Sequence, residues 1–319
     1  MPHDLSRRDF LLLSAATLTT AMHAPRLPFP ALVGRRRAYD LVIRGGTVFD
    51  GLGNPGVEAD VAITGGKIVA IGRALPDSGA TEIDARGLAV APGFIDIHSH
   101  GDGSLWTDPR VESVVRQGVT TIVVGQDGSS RAPVERAGGQ AADDDARHVF
   151  PSMADLWTSL AQLQPSVNVA SMVGLGTLRG VVVGRENRPA TADEIARMAQ
   201  MVERALADGA CGASTGLEYT PGAFASREEL IALCTPLAAR ALPYATHMRN
   251  EDDHVLEAVD EAIAVARGAG CPLQISHLKT EGPRNWDKLG EVFARIDAAR
   301  PAPPVAAKPP AKATKRVRF

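Results

Sequence analysis

His98 and His100 stand two residues apart at the end of the run Ala91-Pro92-Gly93-Phe94-Ile95-Asp96-Ile97. Phe94, Ile95 and Ile97 read as a buried parallel strand, and residues i and i+2 of a strand point to the same side. The two imidazoles are then aimed at one point, as a metal ion requires. Neutral imidazole is the commonest protein ligand for zinc-like ions. One His-x-His is weak evidence, because a lone histidine is more often a hydrogen-bonded residue near the core. Two more histidines close similar runs: His247 in Tyr244-Ala245-Thr246-His247-Met248-Arg249 and His277 in Gln274-Ile275-Ser276-His277-Leu278-Lys279. Four imidazoles in one structural slot point to a metal centre.

Elements of regular rhythm must carry these residues. Strands are expected at Phe94 to His98, Thr120 to Gly125, Asn168 to Leu175, Gly212 to Tyr219, Tyr244 to Met248 and Leu273 to Leu278. Helical spacing lies between them. Ala192 to Ala207 has apolar residues at Ile195, Met198, Ala199, Val202 and Leu206, all on one helix face. Arg227 to Ala239 and His254 to Arg267 read likewise. Alternating strand and helix means an α/β fold of parallel βα units. In a TIM-like (β/α)8 barrel the C-terminal strand ends converge on one mouth, which would gather the four histidines. Six such units are legible over residues 92–300, so the barrel reads as incomplete. Upstream, residues 39–91 alternate short apolar runs with Gly45-Gly46, Gly65-Gly66 and Gly87, the pattern of a small N-terminal β-sandwich.

The motifs resemble the amidohydrolase superfamily and, within it, the D-aminoacylase (N-acyl-D-amino-acid deacylase) group. The likeness runs from about Tyr39 to Arg300. It rests on Asp40-Leu41-Val42-Ile43-Arg44-Gly45-Gly46-Thr47-Val48, the run ending at His100, Arg116-Gln117-Gly118-Val119-Thr120-Thr121, Ser214-Thr215-Gly216-Leu217-Glu218-Tyr219-Thr220-Pro221-Gly222, and the segments around His247 and His277. The resemblance implies a metal-dependent hydrolase with one or two divalent ions, zinc foremost, held by His98, His100, His247 and His277. It implies Tyr219 and Lys279 as contacts to a small N-acyl amino acid, with Arg249 a further candidate. The group's bridging cysteine sits in a Gly-Asn-Cys-Gly turn. Here the turn is Gly125-Gln126-Asp127-Gly128, so Asp127 stands where the thiolate would.

A carboxylate also bridges such metals. Glu218, closing the fourth expected strand, is the other candidate for that role. The choice stays open: Asp-Gly is also a common turn pair, and Glu218 reads equally as a surface carboxylate. The implied reaction is hydrolysis of the amide of an N-acyl-D-amino acid, with the D preference resting on the resemblance alone. Two alternatives accompany it: a cyclic-amide hydrolase of the dihydroorotase or hydantoinase kind, and a non-catalytic truncated fragment.

Apolar residues make up 45% of the 319, enough for a buried core. A net charge of −3 gives no reason to expect nucleic-acid binding. Cys211, Cys234 and Cys271 are odd in number and lie beside apolar runs, so they read as small core residues. Residues 1–30 read as a twin-arginine signal peptide. Ser6-Arg7-Arg8-Asp9-Phe10-Leu11-Leu12 leads into an apolar stretch ending near Ala21, too short to span a bilayer. That implies the twin-arginine export machinery as a partner, no stable membrane span, and a periplasmic or extracellular address. Residues 301–319 are Pro/Ala/Lys low complexity and suggest a truncated reading frame. On that reading the last two strands are missing, and with them the eighth-strand Asp that the family uses as general acid/base. Asp287 and Asp297 lie in helix-like context and do not replace it, so the catalytic acid/base stays unassigned.

Overall fold

The computed structural model describes residues 37–134 and 148–300. The expected signal peptide and the low-complexity tail lie outside the described residues. These fall into two units divided after Pro92.

The first unit holds β1 (Arg37–Val48), β2 (Val57–Thr64), β3 (Lys67–Gly72), β4 (Ser78–Asp84) and β5 (Ala89–Val90). They form one sheet in the order β3-β2-β1-β4, with β5 also on β1. The register of β1 against β2 shifts between Ile43 and Gly46, where Gly45 takes φ +65°. This bulge lets the first half of β1 pair with β4 and the second half with β5. Asp60 locks it, accepting from Arg44 Nη1 at 2.9 Å, Gly45 N at 2.8 Å and Leu75 N at 3.0 Å. The second layer that a sandwich requires does not lie among the described residues.

The second unit alternates strand and helix as expected. It contains β6 (Phe94–Asp96), α1 (Glu112–Val115), β7 (Val119–Val124), α2 (Met153–Leu163), β8 (Asn168–Ser171), β9 (Val173–Gly174), α3 (Leu175–Val182) and α4 (Ala192–Ala207). It continues through β10 (Ala213–Gly216), α5 (Arg227–Ala238), β11 (Tyr244–His247), α6 (Val255–Ala269), β12 (Leu273–Ile275) and α7 (Leu289–Ala299). All neighbouring strands here are parallel, in the orders β6-β7-β8 and β9-β10-β11-β12. Only Met172 separates β8 from β9. Its N donates to Val124 O at 2.9 Å, while Val173 N donates to Gly212 O at 3.0 Å. One strand position thus passes the sheet from β7 to β10, giving the consecutive parallel run of a TIM-type barrel wall.

Helix α4 has the bounds its periodicity predicts. Thr191 Oγ1 accepts from Glu194 N while the Glu194 carboxylate accepts from Thr191 N, a reciprocal cap. Met198, Met201, Val202, Ala205 and Leu206 are buried with Leu178, Leu230, Leu233 and Leu237 in the main core. Each large side chain of this kind contributes roughly 1.5–3 kcal/mol. Cys234 is buried and Cys211 and Cys271 are half-buried, all as free thiols. No helix among the described residues is long and apolar enough to cross a membrane.

Three expectations about strands are corrected. Phe94, Ile95 and Ile97 are 62%, 62% and 53% exposed rather than buried. The reason is that β6 pairs with β7 alone, as an edge strand. His98 and His277 lie two residues beyond their strands, not on them. The third expected strand stops at Gly174, because α3 starts at Leu175.

Candidate metal centre

The turn after β7 decides what stands at the centre of the site. Gly125, Asp127 and Gly128 have φ of +74°, +51° and +76°. A side chain at Gly125 would put Cβ 2.3 Å from Met172 O, and one at Gly128 would put it 2.7 Å from Gly216 N. The turn is therefore wedged against the neighbouring strands, and only glycine fits at its two flanks. Aspartate is among the few other residues that tolerate the left-handed region. Ser214 Oγ donates to Gly125 O at 2.6 Å and accepts from Gly128 N at 3.1 Å. Buried Gln126 donates to Ile97 O at 3.0 Å and Val123 O at 3.2 Å, tying this turn to the segment that bears His98 and His100. Gln126 escaped the sequence reading; its place beside Asp127 was the signal.

Four imidazoles surround one carboxylate oxygen. From Asp127 Oδ2 the distances are 3.1 Å to His100 Nε2, 3.5 Å to His98 Nε2, 3.6 Å to His277 Nε2 and 3.9 Å to His247 Nδ1. Ring centroids are 5.1 Å apart for His98 and His100, 4.9 Å for His98 and His277, and 4.7 Å for His247 and His277. Residues from β6, β7, β11 and β12 thus meet at the C-terminal strand ends. Glu218 does not share this centre. Its Oε2 lies 3.1 Å from His247 Nε2, the ring nitrogen that faces away from Asp127.

Glu251 was not anticipated. It lies four residues past His247 in an acidic loop that reads as surface, yet it is 1% exposed. Its Oε1 is 3.1 Å from His277 Nδ1 and its Oε2 is 3.7 Å from His247 Nε2. Lys279, expected to hold substrate, instead pairs its ammonium with Glu251, with His277 Nδ1 3.4 Å from Nζ. Arg249 is not brought to the cluster. Its guanidinium pairs with Glu261 at 2.8 and 3.0 Å and donates to Ala223 O and Ala225 O at 2.8 and 3.0 Å. The strand ends at His247, so the same-side rule does not carry two residues further.

Tyr219 stays at the site. Its ring centroid is 4.7 Å from that of His247 and its hydroxyl is 3.5 Å from Nδ1. Burial and the carboxylates of Asp127, Glu218 and Glu251 push its pKa up, so it is a neutral proton donor. Burial pushes the His98 pKa down against the pull of Asp127, which keeps the ring neutral, as a metal ligand must be.

His98 Nε2 and Asp127 Oδ1 are buried without a hydrogen-bond partner. Buried polar atoms are ordinarily paired, so two orphans in one cluster mark a place for something else. Imidazole and carboxylate donors suit zinc-like divalent ions. The ligand atoms of His98, Asp127 and His277 all lie within 4.8 Å of one another, as do those of His247, Glu251 and His277. Beside the cluster is a cavity of about 930 Å³ lined by His100, Asp127, Thr177, Arg185, Tyr219 and a wall of glycines. Arg185 is the one lysine or arginine among its described lining residues. The neighbouring Arg179, Arg249 and Lys279 are engaged by Glu229, Glu261 and Glu251.

A sequence profile of the amidohydrolase family matches residues 81–303. The chain belongs to the amidohydrolase family. It is similar to the D-aminoacylase of Alcaligenes xylosoxydans xylosoxydans, 41% identical over 265 residues, which are 82% of this chain and 55% of that protein. Similarity to the N-acyl-D-glutamate deacylase of the same organism is 42% over 267 residues, 82% of this chain and 54% of that protein. A crystal structure of D-aminoacylase superposes with a TM-score of 0.77 at 41% identity, covering 82% of this chain and 56% of that one. The N-acyl-D-glutamate deacylase of Bordetella bronchiseptica, complexed with zinc and a phosphonate inhibitor, superposes equally, with TM-score 0.77 at 38% identity and coverages of 82% and 56%. The L-hydantoinase of Arthrobacter aurescens, at 19% identity and TM-score 0.54 over 81% of this chain and 56% of that one, shares the fold. The chain spans about half the length of the curated relatives it matches.

Proposed function

We propose that this chain carries the metal centre of a hydrolase acting on N-acyl-D-amino acids. The observation that carries the reading is the approach of four imidazole nitrogens to within 3.9 Å of Asp127 Oδ2. His98, His100, His247 and His277 would hold one or two divalent ions, zinc foremost, with Asp127 between them. Bound there, a divalent ion supplies Lewis acidity, which activates water at neutral pH and polarises an amide carbonyl. The protein's own groups do the rest. Tyr219, held as a neutral phenol beside His247, donates to the oxygen on which negative charge grows. The glycine wall leaves room for substrate. Arg185, unengaged by any described partner, takes a substrate carboxylate. Acyl-D-amino-acid deacylases are similar at 38–42% identity, whereas the hydantoinase likeness shows fold alone; this favours the linear amide over the cyclic one.

Metal analysis of the purified chain tests the centre. Zinc is expected to bind, and to be lost in the His247→Ala/His277→Ala double variant; unchanged stoichiometry in that variant sinks the assignment. Calorimetric titration of the zinc-loaded chain with N-acetyl-D-glutamate and N-acetyl-D-methionine tests the cavity. Arg185→Met should weaken both about 10- to 100-fold if Arg185 meets the α-carboxylate, and only the glutamate derivative if it meets the side chain, the range expected for a charged hydrogen bond. The reading includes export through the twin-arginine route; a reporter fused to residues 1–30 should reach the periplasm, and fail to when Arg7 and Arg8 are both changed to Lys.

A further inference from the structure

His247 and His277 each have two ring nitrogens, and the structure gives the two different surroundings. His247 Nδ1 and His277 Nε2 face Asp127 Oδ2, at 3.9 and 3.6 Å. The opposite nitrogens face carboxylates: His277 Nδ1 is 3.1 Å from Glu251 Oε1, whereas His247 Nε2 is 3.1 Å from Glu218 Oε2 and 3.7 Å from Glu251 Oε2. Glu251 is held where it is. Its backbone carbonyl accepts from Glu281 N at 2.6 Å, and its carboxylate meets the Lys279 ammonium. A buried carboxylate costs several kcal/mol unless paired, and the Lys279 ammonium supplies that partner.

We propose that Glu251 is a positioning residue for His277. It draws the ring N–H of His277 onto Nδ1, the nitrogen remote from Asp127, leaving the lone pair of Nε2 aimed at the centre. The pairing follows the general rule that a ligating imidazole gives its other N–H to a carboxylate, which fixes both tautomer and ring angle. Glu251 is close enough to both rings to act as a ligand itself. The Lys279 ammonium on its carboxylate argues against that, since a second cation there would be repelled. Lys279 is by the same geometry a charge partner rather than a free anchor for substrate. The proposal rests on the reading of the cluster as a metal centre.

Zinc titration against a competing chelator, with wild type and Glu251→Gln, is the first test. Stoichiometry should hold in the variant while affinity falls about 10- to 100-fold, the usual effect of losing an outer partner. Glu251→Asp, which restores the charge, should recover part of the loss. Nitrogen-15 NMR of the unmutated zinc-loaded chain gives a second reading that does not depend on a variant folding: the proton should sit on Nδ1 of His277. The opposite tautomer, or equal zinc affinity in Glu251→Gln, overturns the positioning role while leaving the metal centre intact. A stoichiometric loss of zinc with loss of an oxygen neighbour in X-ray absorption makes Glu251 a ligand and also overturns it. A wild-type chain that binds no zinc defeats both readings.

Discussion

Glu229 and Glu251 are each 1% exposed, and their surroundings differ in kind. Glu229, on α5, accepts on both oxygens from Arg179 Nη1 of α3, at 2.7 and 2.5 Å. Arg179 Nη2 continues to Arg188 O. This is a pair of opposite charges in the core, with Arg179 Nε left unpaired. Glu251 lies among two imidazoles and one ammonium. Depth of burial is the same, so burial does not separate a structural carboxylate from one at a site. The kind of partner does: Glu229 faces a guanidinium, whereas the strand-end cluster sets carboxylates against imidazoles and leaves His98 Nε2 and Asp127 Oδ1 without a hydrogen-bond partner.

The contrast breaks most sharply at the core pair. Glu229→Gln leaves the Arg179 charge buried without its partner, and should cost about 3–5 kcal/mol in urea unfolding. Zinc affinity of the folded fraction should not change. Replacing both members, Arg179→Met with Glu229→Leu, should recover most of the loss, since an apolar pair of similar volume is often neutral. If the double replacement is as unstable as Glu229→Gln, the pair is doing more than filling the core.

At the centre the expected signs reverse. Asp127→Asn should lower zinc affinity more than ~100-fold, beyond what an outer partner costs. Its unfolding free energy should hold or rise, because a buried carboxylate with an orphan oxygen has been neutralised. Glu218→Gln should weaken zinc less than about tenfold, since Glu218 meets one imidazole from outside. Equal losses in the two variants would mean that both carboxylates share the bridge.

The smallest effect sharpens the comparison from outside. Arg188 holds the Glu194 carboxyl down at about 2, from an ordinary 4.5, helped by the Thr191 N–H. A carboxyl depressed on folding stabilises the protein above its unfolded pKa. That stability is lost as pH falls from about 4.5 toward about 2. The urea midpoint of wild type should therefore fall further than that of Glu194→Gln between pH 6 and pH 3. Parallel curves would show that the pair contributes nothing to acid stability.

Much of this was legible in the residues. Apolar spacing marks α4 to the residue, because a helix face must be buried every three or four positions whatever it packs on. The four histidines are legible because each follows an apolar run that ends at the same side of the sheet. The choice between Asp127 and Glu218 is not, because it depends on which ring nitrogen each oxygen meets. Glu251 sits in Asn250-Glu251-Asp252-Asp253, a run with no periodicity, and only the path of the chain after β11 turns it inward. For Lys279 and Arg249 the sequence does not show that a carboxylate on a neighbouring segment reaches each cation, as Glu251 and Glu261 do. Phe94 and Ile95 show the same limit for apolar residues, since a strand's composition does not tell whether it lies at the edge.

The turn at residues 125–128 has a consequence for how such a site changes over time. Its shape comes from the backbone: two glycines wedged against adjoining strands and a serine hydroxyl clasping both ends. None of these contacts involves the side chain at position 127. The turn therefore works as a socket, presenting a residue that tolerates φ near +51° to the same point in space. Exchange of one donor atom for another there needs a single codon and no refolding, so the hardness of the centre can drift between lineages while the scaffold stays fixed.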